Sequence, residues 1–231
     1  MARNSSFLMQ QKIALGVVIF VIVVAIGYFS TDVLKDTPVL GDFEEGEHYI
    51  VLENPRRVRG EKIEVMEFFS YACPHCYNFE PELADWAEDN QARINFVQTP
   101  AVSSDYWRLL GRNYYTLESL ELLDDQHMAF FREIHDVKRQ FTSPDALADY
   151  YDGKGVTRAD YLDAFNSTEV VNNVSMADRM GRRLLVSSVP SVVVHGKYMV
   201  RTTRSVGPSR MLDVLNFLVD KVEQERISAE G

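Results

Sequence analysis

Two cysteines, Cys73 and Cys76, stand in this chain with Pro74 and His75 between them, and it holds no third cysteine for a structural disulfide. A close pair with no other partner points to thiol chemistry at the pair itself. In disulfide exchange the attacking species is the thiolate, not the thiol. A helix beginning at Cys73 would favour that thiolate, because the first backbone N–H groups of a helix lack intrahelical partners and carry the positive end of its dipole. Pro74 suits the first helical position, and a protonated His75 would add positive charge beside the sulfur. Cys76 falls one turn into the helix, within bridging reach. Each tenfold gain in thiolate stability favours the reduced form by about 1.4 kcal/mol, which is about 30 mV for a two-electron couple. The arrangement predicts a disulfide donor rather than a reductant.

A zinc half-site is the competing chemistry, but zinc wants four ligands. The histidines, His48, His75, His127, His135 and His195, show no His-x₃₋₅-His spacing. We expect no metal and no bound cofactor, only a redox-active Cys73–Cys76 disulfide.

The elements around the pair give it a place. Ile63 to Phe69 reads as a strand apolar on both faces, as in a covered sheet, and Tyr49 to Leu52 as a shorter one. After Cys73 a helical stripe runs through Phe79, Leu83 and Trp86, and Arg93 to Val97 reads as the next strand. Strand, helix, strand implies a parallel βαβ unit. Roughly eighty helical residues follow. Tyr106, Leu109, Leu110 and Tyr114 form one stripe; Met128, Phe131 and Ile134 form another; Ser143 and Thr157 read as helix starts; Val170, Val174 and Ala177 mark a further helix. Strand signal returns at Ser191 to Val194, turns at Gly196-Lys197 and resumes at Tyr198 to Val200. Pro208 opens a last helix that buries Met211, Leu215, Leu218 and Val222. Alternation puts Glu67 on one strand face with Ile63, Val65 and Phe69, where an acid is poorly solvated and holds its proton more tightly.

The amino terminus reads differently. Residues 13–29 carry no charge. At about 1.5 Å per residue that run spans about 25 Å, enough for a transmembrane helix at the short end of the range. It is longer than the apolar core of a cleaved signal peptide. Arg3 and Lys12 precede it, while Asp32 and Asp36 follow, so residues 1–12 are expected in the cytoplasm. Residues 30–46 read as a polar tether. In a bacterium the remainder would face the periplasm, from a single-pass anchor in the inner membrane. The net charge is −10, and because residues 1–30 hold two bases and no acid the rest is more acidic still. Such a surface repels phosphates, which argues against nucleic acid.

The stretch from Glu67 through Cys73-Pro74-His75-Cys76 to Glu80 resembles the active-site segment of DsbA-type periplasmic thiol oxidases, a family whose members carry a low-pKa cysteine and an oxidising disulfide. Val189-Pro190-Ser191 and the hairpin through Tyr198 resemble that family's cis-proline segment. The resemblance implies an α/β thioredoxin fold, residues 47–102 and 186–226, with a helical domain inserted at residues 103–185. It implies that Cys73 is an exposed nucleophile, that Cys76 is the buried partner that resolves the mixed disulfide, and that Pro190 is cis beside the pair. Val189 would then offer backbone groups to an extended substrate by strand addition. Glu67 matches a buried acid implicated in proton transfer to the inner cysteine. Relatives often carry a lysine on the adjacent strand; Arg93 to Pro100 has none. Partners implied are reduced, unfolded exported proteins and a quinone-linked membrane reoxidase. Competing readings are an isomerase or reductase of the same fold, a thiol metal carrier, and a chaperone-like binding module.

Overall fold

The computed structural model describes residues 43–230. The expected membrane helix at residues 13–29 and most of the tether lie outside them. Among the described residues no helix is long and apolar enough to cross a membrane.

The chain opens with a short strand, β1 (Ile50–Val51), and a long one, β2 (Ile63–Phe69). Helix α1 (Pro74–Asp89) leads to β3 (Ile94–Pro100). Five helices follow: α2 (Asp105–Ser119), α3 (Leu123–His135), α4 (Pro144–Tyr151), α5 (Arg158–Phe165) and α6 (Thr168–Arg183). A hairpin of β4 (Ser191–Val194) and β5 (Tyr198–Arg201) precedes α7 (Pro208–Glu230). The sheet order is β1-β5-β4-β2-β3, with β2 and β3 parallel and the other pairs antiparallel. This is a thioredoxin-type sheet with a helical insertion between β3 and β4.

Strand β2 is central, so both its faces are covered. On one side Ile63 and Val65 pack with Phe79, Leu83 and Trp86 of α1 and with Met211, Leu215, Leu218 and Val222 of α7. On the other, Met66 and Phe68 pack with Val193, Met199 and Leu184. A third core fills the helical block. It holds Phe130, Phe131, Tyr151, Tyr161 and Phe165, and it reaches Phe69, Tyr71, Cys73 and Cys76. The cysteine pair thus sits where the helical block meets the sheet.

Several boundaries differ from expectation. Strand β3 continues through Pro100, because backbone pairing with β2 runs on to Phe69↔Pro100. Phe43, assigned to the tether, is buried and packs on Phe217 of α7. Tyr106 is exposed at 37%, although its stripe partners Leu110 and Tyr114 are buried. It lies in the first turn of α2, beyond the edge of the core.

Candidate active site

Cys73 is the N-cap of α1, with φ −92° and ψ 115°, and Pro74 takes the first helical position. That extended backbone lets the side chain turn back over the helix start. The Cys76 N–H donates to Cys73 Sγ at 3.4 Å, while the Cys73 thiol points at the Val189 carbonyl, 3.6 Å away. Both cysteines are free thiols. Cys76 is fully buried and Cys73 is 8% exposed. The expectation of an exposed nucleophile is corrected to a largely buried one, because the loop before β4 places the Val189 carbonyl against its sulfur. Pro74 and His75, by contrast, are exposed.

The two thiols differ sharply. The Cys76 thiol is the largest influence on Cys73, and with the N–H groups of Cys76 and His75 and the charge of His75 it brings Cys73 from 9.0 down to about 6, against the opposing effect of burial. The helix start and His75 contribute in the expected direction, but the partner thiol leads. Burial drives Cys76 the other way, far above its ordinary range, and the neighbouring Cys73 and Glu67 add to the rise.

The Val189–Pro190 peptide bond is cis. Pro190 is buried and Val189 half-buried. The Val189 N–H has no hydrogen-bond partner among the described residues.

Glu67 is fully buried. Burial first, then the neighbouring Glu80, raises its carboxyl well above the usual carboxylate range, and a hydrogen bond from Gln98 only partly opposes this. Gln98 lies directly opposite Glu67 in the β2–β3 register. Its amide Nε2 donates to Glu67 Oε2 at 2.9 Å and to Glu80 Oε1 at 2.9 Å. So a neutral amide, not a lysine, faces Glu67 from the adjacent strand. Glu67 Oε1 is buried without a hydrogen-bond partner among the described residues.

Residues to which sequence reasoning assigned no role in thiol exchange complete the surroundings. Glu80 of α1 and His127 of α3 are both buried, with His127 Nε2 3.2 Å from Glu80 Oε1. His127 Nδ1 lies 2.7 Å from the Tyr71 hydroxyl. His135 Nε2 lies 2.8 Å from the Tyr71 carbonyl, and its ring stacks on Tyr77 with centroids 5.0 Å apart. Helix α3 therefore grips the residues on both flanks of the cysteine motif. The one available signal was spacing: His127, Phe131 and His135 recur at i, i+4 and i+8, a single helix face. His195 sits in the β4–β5 turn with φ 51°, away from this cluster. No group of three or more His, Cys, Asp or Glu residues able to hold a metal ion occurs among the described residues.

Comparison with known proteins agrees with this geometry. The family model described as DSBA-like thioredoxin domain matches residues 82–216. The chain is 35% identical over 190 residues to a thiol:disulfide interchange protein DsbA of Pseudomonas aeruginosa, covering 82% of this chain and 89% of that protein. It is 31% identical over 184 residues to the Burkholderia cepacia protein of the same name, covering 79% of this chain and 87% of that protein. The crystal structure of Pseudomonas aeruginosa DsbA superposes with a TM-score of 0.76 at 35% identity, over 82% of this chain and 98% of that one. The oxidoreductase DsbA from Xylella fastidiosa gives a TM-score of 0.73 at 29% identity, over 79% and 98%.

Proposed function

The chain belongs to the DsbA family of thiol:disulfide oxidoreductases, and from that membership we propose that Cys73 and Cys76 carry the exchange as a disulfide donated to reduced, exported proteins. The observation that supports this most directly is the asymmetry of the pair: Cys73 at the helix cap is lowered to about 6, while Cys76 is buried and raised.

The oxidised enzyme reacts first. A substrate thiolate attacks Cys73 Sγ, the only sulfur of the pair with access to solvent. The Cys73–Cys76 bond breaks, and a substrate–Cys73 disulfide forms. The electron pair leaves on Cys76, a poor place for charge because the site is dry. Glu67 holds its proton there and gives it to the Cys76 sulfur. Val189, whose N–H is unpaired among the described residues, holds the substrate backbone beside Pro190 by strand addition. A second substrate thiolate then attacks the substrate sulfur of the mixed disulfide. Cys73 leaves as a thiolate, held by the Cys76 thiol and the N–H groups of residues 75 and 76. The product enzyme is the reduced Cys73–Cys76 pair.

Reoxidation of the dithiol is assigned to a quinone-linked membrane partner. The uncharged run at residues 13–29 and its flanking charges support a single-pass inner-membrane anchor with the catalytic domain in the periplasm. Carbonate extraction of bacterial membranes tests the anchor: the protein should stay in the pellet, and release into the wash would overturn it.

The exchange reading is tested by refolding reduced ribonuclease with the oxidised full chain in detergent. A burst of one disulfide per enzyme is expected, and Cys73→Ala should abolish it. Activity confined to scrambled ribonuclease would instead make the protein an isomerase.

A further inference from the structure

Two carboxylates lie buried beneath the cysteine pair, and the charge they develop has one place to be balanced. Glu67 comes from β2 and Glu80 from α1, both under 5% exposed. Gln98 donates to both through one nitrogen. An amide NH₂ in that role stabilises anions, but it supplies no positive charge and passes no proton between them. No lysine or arginine pairs with either carboxylate among the described residues; the one basic side chain in reach is His127, whose buried Nε2 lies 3.2 Å from Glu80 Oε1, close enough for an ion pair but outside hydrogen-bond geometry.

We propose that His127, carried by the inserted helical block, is the counter-charge of the Glu67–Glu80 pair and a positioning residue for proton delivery to Cys76. The proposal rests on the role given to Glu67 above. When the Cys73–Cys76 bond opens, Cys76–S⁻ takes the proton of Glu67–COOH and becomes Cys76–SH. Glu67 becomes a carboxylate. The negative charge has moved from sulfur to a dry site that already contains Glu80. Two adjacent buried carboxylates without a cation are strongly disfavoured. An imidazolium against Glu80 makes that state accessible.

The surroundings fit this role. His127 is faced by Glu80 of α1, by the Tyr71 hydroxyl at 2.7 Å from the loop before the helix, and by Tyr114 of α2 with ring centroids 5.8 Å apart. Beyond Glu80 lies Glu67 of β2. Phe69 and Phe131 close the remaining sides. The tyrosine hydroxyls are neutral: burial holds Tyr71 and Tyr114 well above their ordinary range. Among the described residues Glu80 is therefore the one carboxylate against His127, and His127 the one basic side chain against the carboxylate pair.

The test is the rate at which a dithiol peptide reduces the oxidised full chain, acid-quenched and followed from pH 5 to 9. His127→Gln keeps a polar group for Tyr71 and removes the charge; it should slow the reaction about tenfold, the scale of a perturbed acid–base step. The double variant E80Q/H127Q leaves one carboxylate needing no counter-charge, and should return to within about threefold of the parent protein. Urea midpoints establish that each variant folds. If H127Q does not fold, E80Q decides alone: the parent rate, corrected for the ionised fraction of the peptide thiol, should fall toward pH 9, and E80Q should flatten that fall. H127Q matching the parent rate at every pH, a double variant as slow as H127Q, or an E80Q profile parallel to the parent would each overturn the proposal. Glu67→Gln separates the two levels. A normal rate in E67Q removes the Glu67 role itself, whereas a slow E67Q beside a normal H127Q removes only the counter-charge.

Discussion

At Cys73, protonation and redox state are set by the same contacts. The groups that lower its pKa to about 6 act on the dithiol and do nothing for the closed disulfide. Two consequences carry a sign. The folded pKa is depressed from 9.0, so the reduced protein gains stability over its unfolded chain that is complete above about pH 9 and lost as pH falls through about 6. The difference in urea midpoint between reduced and oxidised protein should accordingly shift against the reduced form between pH 8 and pH 5. The reduction potential should also change slope near pH 6. Above it one proton accompanies two electrons, for about 30 mV per pH unit; below it two do, for about 59 mV. Equilibration with glutathione buffers from pH 5 to 8 reads this directly, and a single slope across the range would show that Cys73 is not the group ionising.

At the scale of elements, the site depends on how closely helices approach the sheet. Helix α2 follows β3 and doubles back over its end. Gly111 permits this: a Cβ there would stand 2.7 Å from Val102 Cγ1 and 3.2 Å from Pro100 Cβ. Gly111→Ala forces α2 outward and should cost about 1–3 kcal/mol by overpacking, as read from urea unfolding, where an unchanged midpoint would mean that the loop after β3 yields freely. Helix α3 contributes through a single face. Its His127 and His135 hold Tyr71 by the hydroxyl and the carbonyl, and its end holds Tyr77 through His135 and Asp136. The N-cap of α1 is thereby fixed from outside its own helix, so the geometry at Cys73 belongs to two elements rather than one.

At the scale of the whole molecule, the helical block is a second core attached to the sheet, and it can be weakened without touching the thiols. Asn113 of α2 is fully buried; it donates to the Tyr151 hydroxyl at 3.2 Å and accepts from the Tyr161 hydroxyl at 2.6 Å. Asn113→Leu strands two buried hydroxyls and should cost about 2–4 kcal/mol. Thermal unfolding should show the loss while the 240 nm titration of Cys73 stays in place; a displaced titration would mean that the block sets the thiolate as well as its proton supply. The sequence by itself determined what is local. Cys73-Pro74-His75-Cys76 at a strand-to-helix junction declares thiol exchange, because capping and helix polarity depend only on neighbours along the chain. The strand at Ile63–Phe69, with Glu67 on the same face as Ile63 and Val65, follows for the same reason. What only the tertiary structure decided is what faces what across elements. Strand register set Gln98 opposite Glu67, helix packing set Glu80 above it, and α3 brought His127 from about fifty residues away. Each of those side chains reads as an ordinary surface polar residue in the sequence, since the dry environment that gives it a role is assembled from four separate segments and exists only once they pack.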